Sequence, residues 1–189
     1  MSTPSRWEAF VRALPAAPGI NAQKIRGNIS DTDKQLSANI FTYFTTGSDR
    51  FLAPAPFARE IGRRLRIVEL NVRENEPTGT AESELVAEIE VAEDMSNVYG
   101  TMHGACAVCL LDPTTVGAMV LLGLVKGFDG TGVSQVMNIH WHHPARLGCT
   151  LVITTRSVFY DGRVKMSRCE VNFGFYPPLI FAEMIGLDA

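Results

Sequence analysis

The run GACAVCLLDPTTVGAMVLLG, Gly104 to Gly123, is apolar or small at almost every position. It is far too long for a strand and reads as one helix, hydrophobic all round and therefore central to a core. Asp112 and Pro113 stand in its middle. A carboxylate there costs several kcal/mol unless it is paired, hydrogen-bonded or solvated in a cavity. Asp112 must therefore meet a polar interface or a site. The same two residues break the apolar run below the roughly 18 residues that read as a membrane span, so no span is predicted. Pro113 removes a helical N–H and disfavours α geometry at Asp112, so a kink is predicted, or a break with a restart near residue 113.

Around this helix the apolar period is two. RRLRIVELNVREN and SELVAEIEVAED precede it as strands. The second alternates Leu85, Ala87, Ile89 and Val91 against charges, the mark of a half-buried strand. Four more follow: GVSQVMNIHWHHP, CTLVITTRSVFYDG, RVKMSRCEVNFGF and LIFAEMIGL. YDGR carries an Asp-Gly hairpin signal. Two strands, one long helix and four strands fit an α+β architecture, an antiparallel sheet of about six strands wrapped around one central helix.

Residues 1–60 differ. Trp7, Phe10, Val11 and Leu14 recur at helical spacing, and PAAPG ends that helix. A second helix is predicted over SDTDKQLSANIFTYFTTG, with Ser30 or Thr32 as cap and Gly47 as stop. FLAPAPFARE reads as a loop. This part cannot bury a core alone, so 1–60 is an N-terminal helical extension and 61–189 the domain. A formal net charge of −3 and 20% charged residues give no reason to expect nucleic acid or an anionic membrane as partner. No export signal opens the sequence, which predicts a cytoplasmic protein. Arg6, Arg12, Lys24 and Arg26 against Glu8 keep a mitochondrial transit peptide as the alternative.

His103 and Asp112 are nine residues apart. At about 100° and 1.5 Å per residue that is about 900° and roughly 13 Å along one straight helix, so the two side chains leave it on opposite sides. They cannot serve one site within a chain. They can serve one shared by two chains across a two-fold axis.

NVYGTMHGA, then LLDPTT, then GVSQVMNIHWHHPARLG resembles the hotdog-fold acyl-CoA thioesterases, in particular the phenylacetate-pathway and mammalian type. The likeness covers roughly residues 64–186. It implies a hotdog fold, a homodimer or dimer of dimers with shared sites, and hydrolysis of an acyl-CoA thioester without a cofactor. It also assigns roles. Asn97, His103 and Gly104 match the motif that handles the thioester carbonyl, with the Gly104 backbone N–H at the helix N-terminus facing the oxyanion. Asp112 matches the general base or nucleophile, and Ser134 the hydroxyl that orients water with it. Asp112 and Ser134 come from one chain and the other three from its mate. The family's second glycine after the histidine is Ala105 here. Two other readings compete: an acyl-CoA-binding hotdog protein with little turnover, and a hotdog hydratase or dehydratase.

Cys106 and Cys109 form a C-x-x-C without a second pair or histidine partner at zinc spacing, and with Cys149 and Cys169 they read as structural thiols. His140, His142 and His143 look like a metal cluster in isolation, but they align with a family strand that binds none, so no metal is expected. Phe173, Phe175 and Tyr176 read as core or interface aromatics.

Overall fold

The computed structural model describes residues 6–47, 56–76, 79–173 and 178–187. It has four helices, α1 (Arg6–Ala13), α2 (Asp31–Thr46), α3 (Arg59–Gly62) and α4 (Gly104–Lys126). Its six strands are β1 (Arg66–Asn75), β2 (Thr80–Glu90), β3 (Val133–Trp141), β4 (Thr150–Asp161), β5 (Val164–Asn172) and β6 (Ile180–Leu187). The strands form one antiparallel sheet in the order β1-β2-β4-β5-β6-β3. After β2 the chain runs through α4 and re-enters the sheet at its far edge. The helix thus lies across a sheet that curls around it, as the element order predicts.

The core follows from the two periods. Ser83, Leu85, Ala87 and Ile89 of β2 are buried at every second position. Leu111, Ala118 and Leu121 of α4 pack into the same cluster as Leu85, Leu151, Ile153 and Ala182. The Asp161↔Val164 pair closes the predicted hairpin through Gly162 and Arg163, with Gly162 at φ 52°. Phe175 and Tyr176 lie outside the described residues.

Of the two outcomes expected at Pro113, the break with a restart does not occur: α4 is one continuous helix. Pro113 offers the Cys109 carbonyl no helical N–H, and the threonines after it bond back to neighbouring carbonyls. Thr114 Oγ1 donates to Leu110 and Leu111 O, and Thr115 Oγ1 to Leu111 and Asp112 O, at 2.8–2.9 Å. Gly127, at φ 83°, ends the helix. By length and mean hydropathy, 1.9, α4 could cross a membrane, contrary to the reading that Asp112 and Pro113 disqualify it. It is the central helix of the fold, and much of it is buried against the sheet and α2.

Ser30 caps α2, accepting from the Asp33 N–H at 3.1 Å, and Gly47 ends it at φ 73°. The stretch expected as loop through Glu60 contains the short α3, whose Gly62 approaches the Thr45 carbonyl too closely for a side chain. α1 and α2 build a second apolar cluster, Val11, Leu14, Ile40 and Val120, on the C-terminal half of α4. The link ahead of α2 docks on β1. Arg26 N–H donates to Val68 O and Leu70 N–H to Arg26 O, both at 3.0 Å, a parallel pairing that the strand pattern did not reveal. This segment covers the β1 edge. Among the described residues no strand pairs with the outer edge of β3, where Val133 is 62% and Trp141 51% exposed, an edge that offers backbone groups to another chain.

Candidate functional site

Asp112 is solvent-exposed on the face of α4 turned away from the sheet, in line with Ala105, Val108 and Val116. That resolves the cost of its burial: the apolar helix presents its carboxylate to a cavity and not to the core. Ser134 Oγ donates to Asp112 Oδ1 at 2.5 Å, a short, charge-assisted hydrogen bond.

The strand places Ser134 by an irregularity. The β3–β6 register shifts between Ser134 and Val136, so Gln135 is an extra residue in β3. Without the bulge, Ser134 would share a face with Val136, Asn138 and His140, all exposed. With it, Ser134 joins the partly buried Met137 and Ile139 on the α4 side. Re-aiming one side chain is what a bulge does.

The second group of site residues sits at the start of α4. His103 is its N-cap: Nδ1 accepts from the Ala105 N–H at 3.0 Å, which leaves Nε2 to carry the ring proton in the neutral form. His103 N–H donates to Met95 O and Met102 N–H to Ala145 O, both at 2.8 Å. The Gly104 N–H donates to no protein acceptor among the described residues. It points from a helix N-terminus, where the dipole favours negative charge. Asn97 is engaged in its own loop, with Oδ1 accepting from the Tyr99 N–H at 2.9 Å and Nδ2 donating to Thr101 Oγ1 at 3.0 Å. It shapes the turn that leads into His103.

No hydrogen bond joins Asn97, His103 or Gly104 to Asp112 or Ser134 among the described residues. Among the described residues, Asp112 and Ser134 are hydrogen-bonded to each other, while Asn97, His103 and Gly104 sit at the start of α4.

A cleft of about 800 Å³ opens at Asp112 and Ser134. Gln135 and Thr131 stand beside the pair, and neither was singled out from sequence. The far wall comes from α2 and α3, with Phe41, Phe44 and Ile61. That contribution of the N-terminal extension was missed too. A signal existed: Ile40, Phe41, Tyr43 and Phe44 put apolar side chains on more than one face of α2, more than one packing contact needs.

The thiols are held neutral. Burial pushes Cys106 up to about 11, helped by Cys109 and Asp94. Burial and then the Asp112 charge raise Cys109. Cys169, fully buried, is pushed up to about 12, first by desolvation. A thiol is a poor nucleophile in that form. Replacing Cys106 and Cys109 together by alanine should keep most turnover in a folded protein. A loss as large as that of an Asp112 change would refute this. Among the described residues no three His, Cys, Asp or Glu side chains are grouped to hold a metal ion. His140 instead lies by Phe181, ring centroids 6.3 Å apart.

A family model described as thioesterase superfamily matches residues 99–171. Acyl-coenzyme A thioesterase 13 of Homo sapiens is 38% identical over 74 residues, 39% of this chain and 50% of that protein. Its counterpart in Mus musculus is 36% identical over the same length. The chain therefore spans about half the length of the curated relatives it matches. Thioesterase superfamily member 2 from Mus musculus superposes with a TM-score of 0.61 at 19% identity, covering 85% of this chain and 100% of that one. A phenylacetic acid degradation protein from Thermus thermophilus does so with a TM-score of 0.55 at 18% identity, covering 71% and 99%. At that identity the superpositions speak for fold, and the fold is the hotdog.

Proposed function

We propose that this chain, a member of the thioesterase superfamily through its hotdog domain, hydrolyses an acyl-CoA thioester to the free acid and CoA. The observation that carries the reading is the 2.5 Å bond between Ser134 and Asp112 at the mouth of an apolar cleft. In this reading Asp112 acts as general base, or directly as nucleophile. As base, it takes a proton from a water that Ser134 helps to hold, and the new C–O bond forms as the thioester carbonyl becomes an oxyanion. The oxyanion is received by the Gly104 N–H of a second copy. When it collapses, the C–S bond breaks and the CoA thiolate recovers the proton. His103 fixes the first turn of α4 through its cap, and Asn97 fixes the loop before it.

Sharing between copies is supported by three features. The two groups are separate within one chain. The α1–α2 layer covers the C-terminal half of α4 but leaves Gly104, Ala105, Val108 and Asp112 exposed. Among the described residues the outer edge of β3 has no strand partner. Light scattering at micromolar concentration should report two or four chains, and a monomer that still turns over substrate would sink the shared site.

The reading itself is tested by free thiol released from a panel of acyl-CoAs. Release supports hydrolysis. A change in enoyl absorbance without thiol would replace it by a hydratase, and thermal stabilisation with neither by a binding protein.

A further inference from the structure

We infer that the N-terminal extension is the acyl-tail wall of this site, so that one chain measures its own substrate and the substrate class is a medium-length acyl-CoA. The inference rests on the thioesterase reading for where the tail begins.

The cleft that opens at Asp112 and Ser134 continues along α4 past Val116 to Val120. Eight residues from Asp112 to Val120, at about 1.5 Å rise, give about 12 Å of helix, the extended length of an octanoyl or decanoyl tail. On the opposite side stand Phe41 and Phe44 of α2 and Ile61 of α3. Phe44 is 48% exposed although its surroundings are apolar, which leaves much of the ring facing the open cleft. The polar groups in this wall are few. Thr45 Oγ1 is engaged by the Phe41 carbonyl at 2.8 Å, and Ser37 adds a hydroxyl that has no protein partner among the described residues. Such a slot gives an apolar chain its burial and offers nothing to a charged or highly hydroxylated one. A carboxylate at one end and a mostly apolar slot behind it fit an acyl thioester with the carbonyl at Asp112 and the tail under α2.

The test uses the full chain with acetyl-CoA and octanoyl-CoA, and reads the ratio of their kcat/KM values. Wild type should favour octanoyl-CoA. Phe44→Ala removes tail contact at a part-exposed position that the fold tolerates, and should lower the ratio about tenfold. Val116→Phe fills the slot and should lower it at least as far. Circular dichroism checks that both variants fold. A ratio unchanged in both folded variants, with thiol still released, overturns the inference and leaves the thioesterase reading standing. If no acyl-CoA releases thiol, the hydrolysis reading fails, and thermal shift decides the inference. Octanoyl-CoA should then raise the Tm of wild type above the acetyl-CoA value, and Phe44→Ala should erase the excess. Equal shifts for the two ligands in wild type would overturn it.

Discussion

Asp112→Asn should lower kcat by at least about a hundredfold while leaving acyl-CoA affinity little changed. The substitution keeps size and polarity and removes the charge that activates water, and general-base assistance is worth about 10² to 10⁴ in rate. The asparagine can still meet Ser134, so the site's shape survives. Ser134→Ala should cost less, because the hydroxyl orients water and takes no proton from it. Steady-state thiol release against ligand-induced Tm shifts separates the rate from the affinity. Full turnover by a folded Asp112→Asn protein would end the assignment. The shared site allows a stricter version. Gly104→Leu blocks the approach of the carbonyl to the backbone N–H, and should be inactive alone. Mixed with Asp112→Asn chains under subunit exchange, it should form hybrids in which one site is intact, and activity should return in part. No recovery from verified hybrids would place all five residues within one chain.

The fold was legible because its two periods are clean. The Leu85–Val91 alternation and the long, largely apolar Gly104–Gly123 run left one economical arrangement, and the caps at Ser30 and Gly47 could be read from local chemistry alone. The separation of His103 from Asp112 was legible too, since nine residues on a straight helix are half a turn out of phase. Other features were not. α4 runs through Pro113 without a break, where a proline inside a helical pattern ordinarily kinks or ends the helix. The bulge at Gln135 decides which face Ser134 takes, yet alternation in that strand reads almost as well one residue out of register. The docking of residues 26–28 on β1 is a long-range pairing with no apolar period of its own.

The stability of that docking rests on Gly27, and Gly27→Ala should be among the most damaging single changes in the chain. Gly27 has φ +119°, a conformation that L side chains rarely adopt, and a Cβ built there would lie 1.7 Å from the Leu70 carbonyl oxygen and 2.6 Å from its carbon. Both are backbone atoms of β1, beneath a Leu70 side chain that is 0% exposed, so neither side can yield. Strain of this kind costs about 1–3 kcal/mol by itself. Relief requires the segment to leave β1, which breaks the Arg26 bonds to Val68 and Leu70 and the Asn28 bonds to Val72 at 2.9 Å. We expect a loss of at least about 3 kcal/mol in denaturant unfolding. Faster amide exchange at Leu70 and Val72, whose N–H groups donate to this segment, should accompany it. Gly19→Ala is the matched control. Its φ is +72° but nothing lies within 4 Å of the new Cβ, so it should cost about 1–2 kcal/mol from backbone conformation alone. Equal losses in the two variants would show that the tight contact with β1 contributes nothing.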